Sequence, residues 1–286
     1  MASARDIKRR IKSVKSTQQI TKAMKMVSAS KLRKSQSTVQ SIRPFAHKIE
    51  DVILSVSSAE SEHAFLRNRD KVTRVCYLVI GSDRGLCGGF NSNLHRFLDH
   101  ILAAETHDYD IAVIGRKVKD HCARMGYPVS FNCTCIGDNP GFYQAQELAR
   151  IMRTAFERGD YDEIYVVYSE FKSAMSQTPR VKRLLPVQRP ERTEENSQLK
   201  DIDYIFEPDR NQILDTILPQ YIDIMVYSSL QEAKASEHGA RMTTMSSATD
   251  NASDMISKLT LSLNRARQAA ITTEISEIVG GAAALS

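Results

Sequence analysis

Two long stretches at the ends of the chain contain almost no glycine or proline, and this limits the fold more than any other feature. Residues 3 to about 56 contain no glycine and one proline, Pro44. Residues 209–279 contain only one glycine, Gly239, and one proline, Pro219. Because glycine and proline are the residues that most often end helices, each stretch is predicted to be a long helix. A bend is expected at Pro44 and a kink or restart at Pro219.

Both predicted helices carry a seam of residues spaced alternately by three and four positions. The C-terminal seam consists largely of small and aliphatic residues, whereas the N-terminal seam is apolar at its ends and polar in its middle. This spacing is typical of a left-handed coiled coil. The sequence therefore predicts that the two helices pair antiparallel, with two long helices of an ordinary bundle as the alternative. The N-terminal seam comprises Ile7, Ile11, Val14, Gln18, Thr21, Lys25, Ser28, Leu32, Ser35, Val39, Ile42, Ala46, Ile49, Ile53 and Val56, and the C-terminal seam Met242, Met245, Thr249, Ala252, Ile256, Leu259, Leu263, Ala266 and Ala270.

The middle of the chain changes period and alternates strand patterns with helix patterns. Short β-rich runs occur at 74–80, 110–114, 164–168 and 181–187, and helical patterns at 92–105, 117–125 and 144–158. This alternation predicts an α/β fold, with a Rossmann-like central domain and a mainly parallel sheet. The expected division is 1–70 for the first helix of the coiled coil, 71–202 for the central domain and 203–286 for the second helix. The polar segment 191–203 is predicted to be an exposed loop.

Positive charge is concentrated at the start of the chain. Residues 1–34 hold seven lysines and four arginines against one acidic residue, Asp6, so this segment has a net charge of +10 in a chain of +5. No Phe, Tyr or His occurs in residues 1–44, which disfavours a nucleic-acid interface. Bulky aromatic residues for a lipid-facing helix are also missing. The expected partner is an acidic protein surface.

A glycine-rich run, Gly81-Ser82-Asp83-Arg84-Gly85-Leu86-Cys87-Gly88-Gly89, follows the first predicted strand. Such a turn can hold a phosphate at the start of a helix. Its spacing, however, matches neither the dinucleotide fingerprint nor the phosphate loop that ends in Gly-Lys-Ser or Gly-Lys-Thr. The favoured interpretation is a tight turn that needs positive φ angles, and nucleotide binding is the alternative.

The remaining chemistry-bearing residues indicate no cofactor, no metal and no catalytic site. The five cysteines, Cys76, Cys87, Cys122, Cys133 and Cys135, are odd in number and lie mostly in apolar surroundings, which favours a reducing compartment. Cys133 and Cys135 lack the second ligand pair of a zinc site, and Cys87 has no neighbouring histidine to serve as a base. No run of about 20 apolar residues is present that would span a bilayer.

Several segments resemble the γ subunit family of F-type ATP synthases. The first is residues 19–31 (QITKAMKMVSASK), and the second is the glycine-rich run 81–89. Residues 204–208 (YIFEP), 235–237 (ASE) and 240–242 (ARM) are also similar, as is the tail at 264–272 and 274–283. These motifs occur in the family's order over essentially the whole chain.

The resemblance implies a non-catalytic rotor shaft. In this family the two terminal helices pass through a ring of three α and three β subunits, and the central domain lies beside the ε subunit on the ring of c subunits. Ion flow turns the c-ring and γ together, and γ drives the catalytic sites on the β subunits in turn. The alternatives from the residues alone are a basic coiled-coil nucleic-acid-binding protein and a Rossmann-like nucleotide-binding enzyme.

The resemblance also assigns residues to interfaces. Those expected to meet the α/β ring are Lys22, Met24, Lys25, Lys31, Arg33, Arg241, Gln268 and Thr272, of which the first five would face acidic loops of the β subunits. Those expected to grip the c-ring are Tyr204, Phe206 and Glu207. Lys25 stands where an acidic residue is frequent in the family.

Two absences guide the expected location. The middle segment has no insert with a cysteine pair of the chloroplast type, so thiol regulation is not expected. The start of the sequence has neither a secretory signal nor a Ser-rich import extension. The expectation is a bacterial complex, with this chain peripheral on the cytoplasmic face of the cell membrane.

Overall fold

The computed structural model describes residues 4–56, 63–69, 71–134, 136–188 and 209–285. These residues fall into two compact units, Met1–Ser28 with Met242–Ser286, and Ala29–Arg241. Each unit contains a piece of both terminal helices. The sequence-based division at 70/71 and 202/203 stays a prediction.

The unit Ala29–Arg241 is built on a five-stranded sheet in the order β3-β2-β1-β4-β5. The strands are β1 (Arg74–Ile80), β2 (Asp108–Ile114), β3 (Val129–Cys133), β4 (Glu163–Phe171) and β5 (Gln177–Leu185). The first four are parallel, and β5 pairs antiparallel with β4. The predicted α/β fold with a mainly parallel sheet is therefore confirmed.

Strands β2 and β4 extend beyond the predicted runs 110–114 and 164–168, and two other strands differ more from the sequence-based expectation. Strand β3 was not predicted because it lies at the sheet edge and alternates exposed and half-buried residues instead of forming an apolar run. The strand predicted at 181–187 begins earlier, at Gln177, where it leaves a short hairpin from β4. Only its last two residues, Leu184 and Leu185, are buried, which explains why its apolar signal is late.

Helices cover both faces of this sheet. Helices α2 (Phe90–Ala104) and α3 (Arg116–Met125) bury their apolar stripes on one face, in a core that includes Leu94, Leu98 and Val118. Helix α4 (Phe142–Arg158) and the neighbouring parts of the terminal helices cover the other face. Because a parallel sheet needs both faces covered, the central strand β1 can be almost wholly apolar.

The terminal helices are α1 (Ala4–Val56) and α5 (Arg210–Leu285). Helix α1 continues through Pro44 and α5 continues through Pro219. The restart considered at Pro219 is therefore absent. A proline inside a helix costs about 3 kcal/mol, and the burial of Leu218 and Ile222 beside it offsets that cost.

In the unit Ala29–Arg241, the α1 seam lies against the core of the domain. Leu32, Ser35 and Val39 are buried, and Ile49 and Ile53 join the cluster that contains Leu218 and Leu230 of α5. The part of the predicted α1 seam from Leu32 to Ile53 is thus buried or half-buried. The side chain of Val56, the last predicted seam residue, is not among those that the structure describes.

In the unit Met1–Ser28 with Met242–Ser286, the two helices run antiparallel. The hydroxyl oxygens of Thr21 and Thr249 lie 2.8 Å apart, and Lys25 Nζ donates to Ser246 Oγ at 2.9 Å. Moving toward higher numbers in α1 thus moves toward lower numbers in α5. The predicted antiparallel pairing of coiled-coil seams is confirmed in this unit.

Candidate functional site

The surface of the Met1–Ser28 and Met242–Ser286 unit carries many exposed apolar side chains. On α1, Ile20 is 58% exposed and Met26 is 59% exposed. A seam buries only one side of each helix, and these residues lie outside the seam. The same is true of exposed residues on α5, which are Met255, Leu261, Ile271, Ile275, Ile278 and Val279. Large apolar side chains are thus exposed along both helices of this unit, and extended exposed apolar surface is typical of regions that other proteins cover.

Basic side chains share this surface and have few acidic neighbours on their own chain. Lys22 is exposed, and Lys25 is exposed while its ammonium group donates to the hydroxyl of Ser246. Met24 is half-buried. In the described part of this unit, the structure shows an ion pair between Arg9 and Asp6 on α1, with Arg9 Nη2 lying 3.6 Å from Asp6 Oδ1. The positive charge therefore faces solvent largely uncompensated, and an acidic partner would neutralise it.

Gln268 and Thr272 lie in the C-terminal part of α5. Both are exposed, and Thr272 Oγ1 donates to the backbone carbonyl of Gln268 at 2.9 Å. The register set by Thr21 and Thr249 brings the start of α1 level with residues near 265, so this part of α5 extends beyond the first turn of α1. The amide of Gln268 is a candidate for intermolecular hydrogen bonding.

Lys31 and Arg33 lie on α1 in the other unit. Arg33 is exposed, whereas Lys31 forms an ion pair with Asp138, in the loop after β3. The hydrogen bond from Lys31 is the main cause that lowers the pKa of the Asp138 carboxyl below its usual value. Lys31 is thus already engaged inside its own chain.

Arg241 is also engaged inside the chain. Its side chain is 10% exposed, and its Nη2 donates to Glu237 Oε1 at 2.8 Å. The same nitrogen is 3.2 Å from the carbonyl oxygen of Gly85, in the glycine-rich run. Lys234 Nζ lies 3.1 Å from the other Glu237 oxygen. This buried group of three charges joins α5 to the turn that follows β1.

Side chains of α5 lie at the carboxyl ends of the parallel strands, where α/β folds of this strand order bind ligands. Ser236 Oγ donates to the carbonyl oxygen of Ser169 at 2.8 Å, and Gln231 Nε2 donates to that of Pro140 at 2.7 Å. His238 Nε2 is 3.3 Å from the carbonyl oxygen of Asp138, and burial lowers the pKa of His238. The protein's own polar groups therefore occupy this edge.

The glycine-rich run is closely packed at its first residue, Gly81. A Cβ on Gly81 would lie 2.3 Å from Val118 Cγ2, so a larger residue would collide with α3. Gly88 has a φ of 56°, which fits the predicted tight turn. Leu86 has a φ of 60°, in a region that residues other than glycine seldom adopt. Sequence reasoning did not single out Leu86, because no local pattern requires that backbone conformation.

Within the described residues, no group of three or more His, Cys, Asp or Glu side chains could hold a metal ion. Cys133 is half-buried, and Cys135 lies outside the described residues. In the described part of the chain, no helix is long and apolar enough to cross a membrane.

Known proteins resemble this chain over its full length. The family model described as ATP synthase matches residues 3–285. An ATP synthase gamma chain of Desulfitobacterium hafniense is 50% identical over 100% of both chains, and one of Moorella thermoacetica is 48% identical over 100% of both chains. The chain belongs to the ATP synthase gamma chain family.

Solved structures agree with this assignment. A chain in the central stalk and c-ring structure of the Tetrahymena thermophila mitochondrial ATP synthase is 26% identical, with a TM-score of 0.61, and the match covers 80% of this chain and 99% of that one. A chain from the Euglena gracilis mitochondrial ATP synthase has the same fold, with a TM-score of 0.69 at 18% identity over 99% of this chain and 94% of that one.

Membership in the gamma chain family confirms the main sequence-based interpretation. The chain is a non-catalytic, central-stalk subunit of an ATP synthase, and the chain works as part of that complex. Nothing in these similarities supports a nucleic-acid-binding protein or a nucleotide-binding enzyme. The predicted foot residues Tyr204, Phe206 and Glu207 lie outside the described residues, so their role stays a prediction.

Proposed function

We propose that this gamma chain is the rotating shaft of a bacterial F-type ATP synthase. The paired ends of α1 and α5 would turn inside a ring of three α and three β subunits. The central domain would contact the ε subunit and the c-ring. Ion-driven rotation of the c-ring would then change the affinity of each β catalytic site in turn. In this proposal segments 1–70 and 203–286 form the shaft and 71–202 forms the hub.

One observation carries the proposal. The paired helices of the Met1–Ser28 and Met242–Ser286 unit bury a seam, yet they leave large apolar side chains such as Ile20 and Met26 exposed on their outer surface. A ring that encloses the pair would remove this apolar surface from water from every side. Apolar side chains form no hydrogen bonds with the ring. Such a surface can therefore rotate inside the ring without one preferred rotational angle.

The exposed basic residues of α1 would contact acidic loops of the β subunits. Lys22, Lys25 and Arg33 are exposed and available for this role, and Met24 adds apolar contact area. Lys31 would have to exchange Asp138 for an acidic residue of the partner. We therefore expect substitution of Lys22 or Arg33 to weaken assembly more directly than substitution of Lys31.

The interface roles of the remaining assigned residues are also proposals. Gln268 and Thr272 would meet the ring near the tip of α5, where both are exposed. Arg241 would reach the ring only by releasing Glu237. Tyr204, Phe206 and Glu207 would grip the polar loops of the c-ring. The whole complex would hold this chain at the cytoplasmic face of the cell membrane.

Reconstitution tests the proposal. Purified chain is added to a mixture of the matching α and β subunits, and steady-state ATP hydrolysis is measured. We expect a clear gain in steady turnover, and a Lys22→Glu, Arg33→Glu variant should restore less at equal concentration. A matched control is Lys119→Glu, an exposed lysine on α3 outside the proposed interface. No gain from the wild-type chain would contradict the proposal, as would equal restoration by the charge-reversed variant.

A further inference from the structure

The loop between β3 and α4, residues 136–141, is bound by helix α1. Lys31 Nζ lies 2.5 Å from Asp138 Oδ2, and each of the two side chains is 38% exposed. Leu32 and Ser35, which follow Lys31 on α1, are buried. Lys31 therefore reaches the loop from the edge of the buried face of α1.

Helix α5 binds the same loop at two points. His238 Nε2 lies 3.3 Å from the backbone carbonyl oxygen of Asp138. Gln231 Nε2 donates to the carbonyl oxygen of Pro140 at 2.7 Å. Because Gln231 and His238 are separated by about two helical turns, they lie on one face of α5. Asp138 is thus contacted by both terminal helices, by α1 at its carboxylate and by α5 at its backbone.

The loop is itself anchored in the central domain. Ile136 is buried in the core cluster that contains Leu148 of α4, and Pro140 is also buried. At the other end of the loop, the backbone N–H of Gly141 donates to Gln144 Oε1 at 3.0 Å, in the first turn of α4. A helix that is bound to this loop is therefore bound to the body of the domain.

The α5 side of this contact consists of buried polar groups where apolar groups would pack at lower cost. Gln231 is fully buried, and His238 is 1% exposed. Among the described side-chain atoms, Gln231 Oε1 and Ser35 Oγ are buried without a hydrogen-bond partner. A buried polar group without a partner costs about 1–3 kcal/mol. Stability alone therefore does not account for polar residues at these positions.

What the polar contacts supply is register. An apolar seam tolerates displacement of one helix along another, because the hydrophobic effect has no direction. A hydrogen bond is lost when its donor and acceptor move apart by about 1 Å. Buried polar residues accordingly fix the register of paired helices at a cost in stability. The contacts on this anchored loop therefore define the positions of α1 and α5 against the domain.

We propose that residues 136–141 are a register clamp, which holds Lys31 of α1 together with Gln231 and His238 of α5 so that neither helix slides along or turns against the central domain. The mechanical part of this inference rests on the proposed rotor. Torque on either helix would reach the central domain at this loop without slippage. Lys31 acts here inside its own chain, which is a role distinct from a contact with the β subunits.

A charge exchange between Lys31 and Asp138 tests the clamp in the isolated full-length chain. Hydrogen exchange followed by mass spectrometry measures the protection of the backbone amides of residues 136–141. We expect Lys31→Glu and Asp138→Lys each to speed this exchange about fivefold, because each places like charges together. The double variant restores opposite charges and should return to within about twofold of the wild-type rate. Unchanged exchange in both single variants, or no recovery in the double variant, would overturn the clamp.

Two substitutions of His238 test the α5 side. His238→Leu removes the ring N–H that faces the Asp138 carbonyl, whereas His238→Gln retains an N–H donor. We expect exchange in residues 136–141 to be about fivefold faster in the leucine variant than in the glutamine variant. The matched control, Arg150→Glu, reverses one charge of an exposed Glu147–Arg150 pair on α4 and should leave the loop unaltered. Equal exchange in the two His238 variants would overturn the role of His238 in the clamp.

The assembled complex tests the mechanical role. Ion pumping by membrane vesicles is measured per ATP hydrolysed, so that the amount of assembled complex does not affect the ratio. We expect Lys31→Glu and Asp138→Lys each to lower this ratio at least about twofold, and the double variant to recover it. Arg150→Glu should leave the ratio unchanged.

The same measurement separates the clamp from a contact between Lys31 and the ring. If Lys31 acted on the β subunits, Asp138→Lys alone would have no effect on pumping and the double variant would stay impaired. That result would overturn the clamp. Failure of the wild-type chain to assemble with the α and β subunits would instead count against the proposed rotor, and the hydrogen-exchange result would stand.

Discussion

Helix α5 has two parts that differ in how they are buried. Between Tyr221 and Arg241 no residue is exposed, whereas between Met242 and Ala270 most residues are exposed and one seam is covered. The first part has its partners within its own chain, including the paired charges of Lys234, Glu237 and Arg241. The second part has one partner helix and a surface that is apolar and basic. Helix α5 is thus packed on all sides by its own chain in one unit, whereas in the other unit it leaves a surface that a partner could cover.

This difference indicates which region folds alone and which region depends on assembly. Substitutions in the Ala29–Arg241 unit should change the stability of the isolated chain. Substitutions on the outer surface of the other unit should change assembly while leaving folding almost unaltered. Four predictions test this division, in order of decreasing effect on the free energy of unfolding.

The largest effect is expected for the buried ion pair between α4 and α5. Arg153 Nη2 lies 3.2 Å from Asp223 Oδ1, and the Asp223 side chain is almost fully buried. Arg153→Met would leave this carboxylate without its cation, at a cost of about 3–5 kcal/mol at pH 7. Urea unfolding of the full chain measures the loss.

The same variant has a predicted pH dependence. Burial is the largest cause that raises the pKa of Asp223 above its usual value, and Arg153 opposes that rise. Without Arg153 the folded-state pKa rises further, so the folded state binds a proton more readily than the unfolded state. The destabilisation should therefore shrink as the pH falls below that raised folded-state pKa. An equal loss at pH 5 and pH 8 would contradict this account.

The next effect is expected for a core leucine on α5. Leu230 is fully buried in the cluster that includes Leu78 and Ile53. Leu230→Ala should lower the free energy of unfolding by about 2–5 kcal/mol, because the removed atoms leave a cavity. Leu261→Ala is the matched control in the other unit, and its exposed side chain should change stability by less than about 0.5 kcal/mol. Similar losses from both would remove the distinction between the two regions.

A smaller effect is expected at the pairing of the two helices in the terminal unit. Thr21→Val keeps the side-chain shape but removes the hydroxyl that lies 2.8 Å from that of Thr249. Thr249 can still donate to the carbonyl oxygen of Met245 at 2.7 Å, so no buried polar group is left without a partner. The loss should be about 1 kcal/mol. Hydrogen exchange should show less protection in residues near 21 and 249 and no change in the sheet.

The smallest effect on folding is expected where the effect on assembly is largest. Met26→Ser replaces an exposed apolar side chain, so the free energy of unfolding should change by less than about 0.5 kcal/mol. Its affinity for the α and β subunits should fall, because apolar area that the ring would cover is lost. Ser30→Ala, an exposed position on the same helix, is the control. Unaltered affinity in Met26→Ser would show that this surface is not covered in the complex.

Much of the architecture was predictable from local pattern. The seam from Ile7 to Ile53 appears in the sequence as spacing of three and four, and in the structure nearly all of its residues are buried or half-buried, with Lys25 as the exposed exception. Strand β1 has the predicted bounds, Arg74–Ile80, because a strand covered on both faces is apolar throughout. The candidate interface on α1 was visible because eleven basic residues in 34 positions have so few acidic neighbours.

Other features depended on residues far apart in the chain. The partner of Lys31 is Asp138, and the partner of the Gly85 carbonyl is Arg241, more than 100 positions away in each case. No local spacing in the sequence indicates such a pair, since only the fold brings the two residues together. The same holds for Leu86, whose φ of 60° is not a conformation that leucine itself prefers.

The sequence by itself determined the two seam-bearing helices, the α/β middle and the basic surface, because these follow from periodicity and composition over neighbouring residues. The tertiary structure alone decided which charged side chains are used inside the chain and which remain exposed for a partner. That choice depends on burial, and burial is a property of the packed molecule.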